Sequence, residues 1–235
     1  MTDNASISGG SAGESPAGTL VVSRFATTTE DRLAAFRLRY EVYIAEQGKP
    51  YPEADHVDRY LSDELDTDGA IIIVESGDQI VGTVRANHFN SPMVRARHAH
   101  VFELGLFSAI RTPQIAVCSR LATLPEHRHA TARALLFDAI YEYGLEHDTR
   151  LCFVSCAPLL VRMFRRYGFR EYASPIKDPV VGTLHRNLLV LDDLEYLQRI
   201  QSPFAAIAAR ANVTHQARSW LTQLFEKYRA HYVHA

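Results

Sequence analysis

The run of residues 114–148 constrains the fold most, because it combines an alternating strand, a short polar turn and a long amphipathic helix. Positions 115, 117, 119 and 121 fall on one face of an extended segment, which favours a strand over a helix. The polar run at residues 125–129 interrupts this pattern, and apolar residues then recur at helical spacing from Leu135 to Gly144. The free N–H groups and the dipole at the start of such a helix favour an anion in the preceding loop.

Strand and helix patterns alternate along the rest of the chain, and this order predicts an α/β domain. Residues 71–74 form a continuous apolar run, typical of a strand covered on both faces. Gly77-Asp78 turns this strand into a second one at residues 80–86, so a hairpin is predicted. Further strands are predicted at residues 151–154 and 184–191.

Composition divides the chain into three parts. Residues 1–18 are rich in Ser, Gly and Ala, and we expect a disordered leader or an expression remnant there. The domain then occupies residues 19–203, and residues 204–235 are expected to form a C-terminal helical extension. The apolar stripe of this extension packs either on its own domain or on a neighbour's. Its members are Trp220, Leu221, Leu224, Phe225 and Tyr228.

Charge and cysteine content limit the class of protein. The 25 Lys and Arg residues nearly balance the 27 Asp and Glu residues, so the net charge of −2 gives no general attraction to nucleic acid or an anionic membrane. No apolar run approaches the roughly 20 residues that span a bilayer. The three cysteines lie in apolar runs and favour reduced thiols over a disulfide framework. We therefore expect a cytoplasmic protein with no nucleic-acid partner and no membrane span.

Residues 121–136, with residues 151–169 behind them, resemble the acyl-carrier half of the GNAT acyltransferase fold. In that family a strand hydrogen-bonds the pantetheine arm of an acyl thioester, and the following loop and helix hold its phosphate. The family loop, Gln/Arg-x-x-Gly-x-Gly/Ala, aligns best with residues 127–132, where alanine replaces both glycines. The resemblance implies an α/β fold of the GNAT type, in which helices flank a central mixed sheet.

The same resemblance implies a binding site for the acyl carrier. Because alanine weakens the close backbone approach that glycine allows, Arg128, His129 and Arg133 are expected to hold a phosphate by charge. A capped surface helix with a basic first turn is the alternative. An acyl thioester of acyl carrier protein or of coenzyme A is the implied co-substrate, with no tightly bound cofactor. The implied binding residues are Leu121, Ala122, Thr123, Arg128, His129, Ala130, Thr131, Ala132 and Arg133.

A second resemblance narrows the family to autoinducer (acyl-homoserine lactone) synthases and the related N-acyl amino acid synthases. It covers about residues 32–203, and residues 179–185 are closer to the N-acyl amino acid synthases. The resemblance implies a long-chain acyl group, carried as a thioester and transferred to the amine of a small polar acceptor. The motifs that occur in the family order are residues 39–43, the pair Asp55-x-x-Asp58, residues 82–85 and Ser119-Arg120.

The second resemblance also implies catalytic residues. An arginine can hold a carboxylate with two hydrogen bonds, and a carboxylate can bind an ammonium group. The carrier strand of the family commonly has Glu-x-x-Arg, whose glutamate serves as a base, but Val117 stands in its place here. Glu103, Asp55, His100 or bulk water is left to accept the proton. The candidate catalytic residues are Arg39, Asp55, Asp58, Arg85, Glu103 and Arg120.

Spacing alone gives some of these residues a different interpretation. Arg39 borders the apolar stripe of its predicted helix, a position typical of a surface arginine. Most acidic residues between positions 53 and 68 are expected to be solvated. His98-Ala99-His100 would bind a metal only if further ligands converged, and no metal site is predicted.

Two other features bear on the mechanism. The family ending Tyr-x-x-x-Gly-Phe supplies a tyrosine that protonates the leaving thiolate, but Phe164 occupies that position, and Tyr167 is out of register. Cys118 and Cys156 have apolar neighbours, which favour packing over a ping-pong thiol mechanism. We expect direct transfer in a ternary complex.

The sequence therefore predicts an N-acyltransferase. It moves a long-chain fatty acyl group from an acyl carrier protein or coenzyme A thioester to the amine of an amino acid, or of a lysine or ornithine side chain in a peptide. One alternative is an acyl-homoserine lactone synthase, which would turn over S-adenosylmethionine. The other is a catalytically silent module that binds an acyl carrier.

Overall fold

The structure is a computed structural model and describes residues 12–14, 20–128, 130–213 and 219–233. Its strands are β1 (Ala12–Glu14), β2 (Leu20–Phe25), β3 (Ala54–Asp55), β4 (Tyr60–Leu61), β5 (Ala70–Ser76), β6 (Gln79–His88), β7 (Ile115–Thr123), β8 (Leu151–Cys156), β9 (Arg170–Asp178) and β10 (Gly182–Val190). Its helices are α1 (Thr29–Tyr40), which continues as a π-helical turn (Glu41–Glu46), α2 (Pro92–His98), α3 (Ala130–Glu146), α4 (Val161–Tyr167), α5 (Leu194–Arg199), α6 (Phe204–Arg210) and α7 (Ser219–Val233).

One mixed sheet forms the centre of the molecule. Eight strands follow the order β1-β2-β5-β6-β7-β8-β10-β9, and β3 pairs separately with β4. All neighbours are antiparallel except β7 and β8, which run parallel. The predicted α/β class and the mixed sheet are confirmed, as are the hairpin of β5 and β6 and the strand, turn and helix predicted between residues 114 and 148.

Helices cover both faces of the sheet. Ile71 and Ile73 of β5 share a buried cluster with Ala35 of α1. Ile72 and Val74 instead share a cluster with α3. Because successive residues of a strand point to opposite faces, α1 and α3 lie on opposite sides of β5. The continuous apolar run in this strand is therefore explained by cover on both faces.

The parallel strands β7 and β8 pair over only three positions. The pairs are Ile115 with Leu151, Ala116 with Cys152 and Val117 with Phe153. β7 continues to Thr123 and β8 to Cys156 without further pairing between them. An opening therefore lies in the middle of the sheet, beyond Val117.

A β-bulge shapes β7 beside this opening. The register between β6 and β7 shifts between the pairs Arg85–Ser119 and Thr83–Ala122. Within the shift, Arg120 adopts a left-handed backbone with φ of 55°. A bulge of this kind changes the direction of a side chain, and Arg120 here points towards the opening.

The C-terminal helices pack on the domain's own core. Leu221 and Phe225 of α7 are buried in the same cluster as Phe153 of β8. The ring of Phe204 in α6 stacks on Tyr141 of α3, with 4.2 Å between centroids. Residues 204–210 and 219–233 therefore complete the core of the domain that precedes them.

Two segments differ from the expectations. Residues 12–14, which fall in the expected disordered leader, form β1 and pair with β2. The rest of that leader lies outside the described residues. β9 was not expected from the sequence, and it occupies one edge of the sheet, beside β10. Within the described ranges, no helix is both long and apolar enough to cross a membrane.

A glycine-to-alanine pair tests the end of α4. Gly168 follows this helix with φ of 108°, and an added Cβ would lie 2.6 Å from a methyl carbon of the buried Leu197. We expect Gly168→Ala to reduce the free energy of unfolding by about 1–3 kcal/mol, because backbone strain and a clash are combined. Chemical denaturation measures the change. Gly105→Ala is the control, since its Cβ would meet open space, and an equal loss in both variants would contradict the assignment.

Candidate active site

A cavity of about 580 Å³ lies at the opening between β7 and β8. Residues 117–121 of β7 and residues 154–156 of β8 contribute to its wall. One part of the wall is apolar and is formed by β8, α3, α4 and the residue that follows Gly168. The residues of this apolar part are Leu136, Phe137, Ile140, Val154, Phe164 and Phe169.

A buried group of charges lies beside the cavity and is called here the arginine cluster; its Asp63, Arg85 and Arg120 line the wall. Its members are Arg39, Asp63, Asp66, Arg85 and Arg120. Asp63 pairs with Arg85 at 2.5 Å and with Arg120 at 2.6 Å. Asp66 pairs with Arg39 at 2.8 Å and with Arg85 at 2.9 Å. No side chain of the cluster is more than 8% exposed.

The cluster carries excess positive charge. Its three guanidinium groups face two carboxylates, and the Nε and Nη2 atoms of Arg39 are buried without a partner in the described structure. Burial favours a raised pKa for Asp63, but the hydrogen bonds and positive charges of Arg85 and Arg120 prevail and hold that pKa well below its usual range. Burial lowers the pKa of Arg39. An additional anion near these groups would balance the charge.

A tight turn presents both aspartates to the arginines. The side chain of Asp63 accepts a hydrogen bond from the N–H of Leu65 at 3.0 Å, and Asp66 accepts one from the N–H of Asp63 at 2.9 Å. Leu65 is fully buried, and its carbonyl accepts a hydrogen bond from Asn87 at 2.8 Å. The turn is therefore fixed by a reciprocal cap and by an apolar anchor.

The structure places Asp55 and Asp58 away from this cluster. Asp55 accepts hydrogen bonds from the N–H groups of Val57 and Asp58, at 2.8 Å each, in an exposed turn. Neither aspartate lines the cavity. The acids beside the arginines are Asp63 and Asp66, which have the same i, i+3 spacing. A buried leucine between them distinguishes the second pair, whereas Val57 between the first pair is 90% exposed.

Of the other candidate catalytic residues, two line the cavity and two do not. Arg85 and Arg120 line it. Arg39 is fully buried and not a surface arginine, because Asp66 neutralises it. Glu103 lies outside the cavity and pairs with Arg186 at 2.6 Å, with its side chain 46% exposed.

Two tyrosines that the sequence did not single out cover Arg120 and the end of β7. The guanidinium carbon of Arg120 lies 4.6 Å from the ring centre of Tyr51. Tyr43 donates a hydrogen bond of 2.6 Å to the carbonyl oxygen of Leu121. Burial raises the pKa of Tyr43 to about 12. Both tyrosines line the cavity, and the Arg120 guanidinium contacts the Tyr51 ring and the carboxylate of Asp63.

The predicted carrier strand only partly faces the cavity. Leu121 lines it, but Ala122 and Thr123 pair with β6 and do not. In the following loop, Arg128 pairs with Glu46 and donates to the carbonyl of Thr123. Its charge is therefore already matched by a carboxylate. His129 lies outside the described residues.

α3 begins within the predicted phosphate loop of residues 127–132. Ala130 is its first residue, Thr131 and Arg133 are half-buried, and Ala132 is buried against the sheet. Ala132 shares a buried cluster with residues of β5 and β6. Among the described residues, Arg133 makes no hydrogen bond or ion pair with another side chain. Its charge is therefore available to a ligand.

The thiols and the C-terminal aromatic residues of α4 have packing roles. Cys118 and Cys156 line the cavity, and burial raises the pKa of Cys156 to about 12, which disfavours a nucleophilic thiolate. The three cysteines are free, as expected. Phe164 faces the cavity, whereas Tyr167 stacks on Phe137 at 4.1 Å.

Comparison with known proteins identifies related sequences. Residues 34–192 match the family model of the N-acyl amino acid synthase FeeM. The L-ornithine N(alpha)-acyltransferase of Rhodobacter capsulatus is 30% identical over 147 residues, which cover 55% of this chain and 53% of that protein. The match thus spans about half the length of that relative.

Solved structures show the same fold. FeeM, an N-acyl amino acid synthase from uncultured soil microbes, superposes with a TM-score of 0.61 at 17% identity, over 80% of this chain and 97% of that one. The acyl-homoserine lactone synthase LasI gives a TM-score of 0.58 at 13% identity, over 74% and 91% of the two chains. The predicted GNAT-type fold is confirmed.

Replacing Asp63 tests the arginine cluster. We expect Asp63→Ala to reduce the free energy of unfolding by about 3–5 kcal/mol, because it leaves Arg85 and Arg120 buried with too few partners. Denaturant unfolding at neutral pH measures the loss. Asp58→Ala is the matched control, and its exposed carboxylate is expected to contribute less than about 0.5 kcal/mol. Equal effects would contradict the assignment of the aspartate pair.

The pH dependence of the free energy of unfolding provides a second test of Asp63→Ala. A carboxylate whose pKa is lowered on folding stabilises the protein fully above its unfolded pKa of about 4, and that contribution falls as the pH decreases towards the folded pKa. The difference between wild type and Asp63→Ala is therefore expected to shrink in acid.

Proposed function

Because this chain belongs to the N-acyl amino acid synthase FeeM family, a family of N-acyltransferases, we propose that it transfers a long-chain fatty acyl group from a thioester to the amine of an amino acid. The observation that carries this proposal is a single cavity that joins an apolar part to an arginine cluster with excess positive charge. The apolar part suits a fatty acyl chain. The arginine cluster suits the carboxylate of an amino acid.

The acyl donor enters the opening between β7 and β8. Beyond Val117, β7 no longer pairs with β8, so its backbone groups on that side are available to the amide groups of a pantetheine arm. The fatty acyl chain of the donor then extends among Phe137, Phe164 and Phe169. The thioester carbonyl lies near Arg120, at the border between the two parts of the cavity.

The amine attacks the thioester directly. Its lone pair forms the new C–N bond, the C–S bond breaks, and the thiol leaves with a proton. A thiol intermediate is disfavoured at Cys156, whose raised pKa keeps it protonated. Arg120 and Arg85 hold the acceptor's carboxylate, which keeps the amine beside the carbonyl carbon.

Acyl carrier protein is the proposed donor in preference to free coenzyme A. α4 exposes Arg162, Arg165 and Arg166 next to Phe164, which lines the cavity. A basic surface on a helix that contributes to the cavity wall suits an acidic carrier protein. Arg128, in contrast, is already paired with Glu46, so a free nucleotide phosphate would have to displace that carboxylate. Arg133 then contacts the carrier's phosphate.

A free amino acid is the proposed acceptor, and ornithine is included because the Rhodobacter capsulatus relative is named as an L-ornithine N(alpha)-acyltransferase. Acylation of a lysine or ornithine side chain in a peptide is the wider possibility.

The decisive assay mixes wild-type protein with acyl carrier protein and coenzyme A thioesters, free amino acids, lysine peptides and S-adenosylmethionine. Mass spectrometry then detects the products.

A new acyl amide is the expected product of that assay. An acyl-homoserine lactone formed from S-adenosylmethionine would contradict the proposal and favour the lactone synthase. Unchanged thioester together with a retained acyl carrier would favour a silent binding module.

Replacing Arg120 tests the carboxylate site. We expect Arg120→Gln to raise the KM for the amino acid roughly 10- to 100-fold, because charged hydrogen bonds of this kind contribute about 1.5–3 kcal/mol. Asp63 keeps Arg85 as its partner, so the variant should still unfold cooperatively. Steady-state kinetics measure the change. Arg150→Gln, whose side chain pairs with Asp192 outside the cavity, is the control, and an unchanged KM in Arg120→Gln would remove this residue from the site.

Reversing charge on α4 tests the donor. Arg162→Glu combined with Arg166→Glu is expected to raise the KM for the acyl carrier protein thioester at least 10-fold, while the KM for the matching coenzyme A thioester changes little. The effect should weaken with added salt. Arg37→Glu combined with Arg111→Glu makes the same change at exposed positions that do not line the cavity. If both double variants lose donor affinity equally, α4 is not the docking surface.

A further inference from the structure

Glu53 and His98 are set apart from the other residues of the cavity wall. Glu53 Oε2 and His98 Nε2 are buried, and neither has a hydrogen-bond partner in the described structure. No other described residue of the wall has such an atom. A buried polar atom without a partner costs about 1–3 kcal/mol, so the two atoms together point to a ligand that donates hydrogen bonds.

The carboxylate of Glu53 is held beside the arginine cluster. Its Oε1 accepts a hydrogen bond of 3.1 Å from Arg97, which leaves Oε2 free. Glu53 follows Tyr51 by two residues, and the Tyr51 ring lies 4.6 Å from the Arg120 guanidinium carbon. Tyr51, Glu53 and Arg120 all line the same cavity.

His98 contributes a neutral acceptor. Burial and the positive charges of Arg97 and Arg85 lower its pKa to about 4. Its ring is therefore uncharged at neutral pH and can present a lone pair at Nε2. The partner that suits both Nε2 and a carboxylate oxygen is an N–H donor with positive charge.

The arginine cluster has no free hydrogen-bond acceptor for such a positively charged N–H donor. Both oxygens of Asp63 are engaged by Arg85 and Arg120, and Asp66 is engaged by Arg39 and by the N–H of Asp63. The remaining groups of the cluster are donors only. Val117 faces the same cavity and cannot accept a proton. Asp178 also lines the cavity, and its Oδ1 accepts hydrogen bonds from the N–H groups of Val180 and Val181. Among the described residues of the wall, the buried acceptors without a partner are at Glu53 and His98, and they suit an ammonium group.

We propose that Glu53 is the proton acceptor of the reaction and that His98 orients the same amine. This inference rests on the proposed acyl transfer. The ammonium group of the acceptor donates hydrogen bonds to Glu53 Oε2 and His98 Nε2, and Glu53 takes one proton. The neutral amine then forms the C–N bond as the C–S bond breaks. A second N–H proton passes to the departing sulfur to give the thiol, and Glu53 returns its proton to solvent.

Glu53 thus supplies, from the loop after α1, the carboxylate that β7 lacks at Val117. The chemical group is the same as that of the glutamate expected at position 117, but it comes from a different part of the chain. The proposal makes Glu53 a residue that touches the substrate, and it makes Arg97 a positioning residue that holds the other carboxylate oxygen.

The pH dependence of Glu53→Gln tests the proposal. Without a proton acceptor, the enzyme must bind amine that is already neutral in solution, and this fraction rises tenfold per pH unit below the pKa of the amine. We expect kcat/KM for the amine to fall roughly 10²- to 10⁴-fold at pH 7 and to recover steeply towards pH 9. Wild type should depend less on pH over this range.

Three further variants make the outcome specific. Glu64→Gln is the matched control, because Glu64 lies 3.6 Å from the same Arg97 but does not line the cavity; its pH profile should follow wild type. Glu53→Asp should restore part of the rate and the wild-type profile. His98→Leu should raise the KM for the amine while keeping the wild-type profile.

The outcomes separate this inference from the proposed function. A Glu53→Gln profile parallel to that of wild type, with wild type forming the acyl amide, would overturn the role of Glu53 and leave the acyl transfer intact. If wild type itself forms no amide from any acceptor, the proposed acyl transfer is wrong, and the role of Glu53 falls with it. Loss of rate in Glu64→Gln equal to that in Glu53→Gln would show that Arg97 pairing, and not proton transfer, explains the effect.

Discussion

The buried pairing of arginines with aspartates is the interaction on which the arrangement of this protein depends. It joins the last turn of α1, the turn before β5, β6 and the bulge of β7, which are distant in sequence. Withdrawing charged groups from water costs several kcal/mol per ion unless each finds good partners. The elements must therefore assemble together for the cluster to form. The excess positive charge that remains also favours an anion in the cavity.

Backbone strain at Arg120 serves the same arrangement. A non-glycine residue in the left-handed region costs of order 1–3 kcal/mol, and here the surrounding contacts hold it in place. The bulge directs the guanidinium to Asp63 on one side and to the Tyr51 ring on the other. A regular strand would place this side chain in a different direction. The strained residue is thus the point where the sheet, the charge cluster and the cavity meet.

Much of the fold followed from local pattern, whereas the site depended on long-range contacts. The strand, turn and helix of residues 114–148 were predictable because their periodicity is strong. β9 was missed because it is an edge strand with Pro175 and Lys177 and has no continuous apolar run. The sequence singled out Asp55 and Asp58, whereas Asp63 and Asp66 are the acids that pair with the arginines; both pairs have the same spacing, and only burial distinguishes them. The burial of Arg39 depends on Asp66, which helical spacing could not reveal.

The short pairing of β7 with β8 gives the sheet an edge in its interior. Exposed sheet edges invite pairing with other chains, but here the unpaired backbone of β7 faces a cavity within the domain. Six residues of β7, from Cys118 to Thr123, continue past the last pair, which corresponds to about 20 Å of strand. Each further pair would close about 3.3 Å of this gap. The number of paired positions between β7 and β8 therefore sets the length of the opening, and this length limits which molecules can enter the cavity.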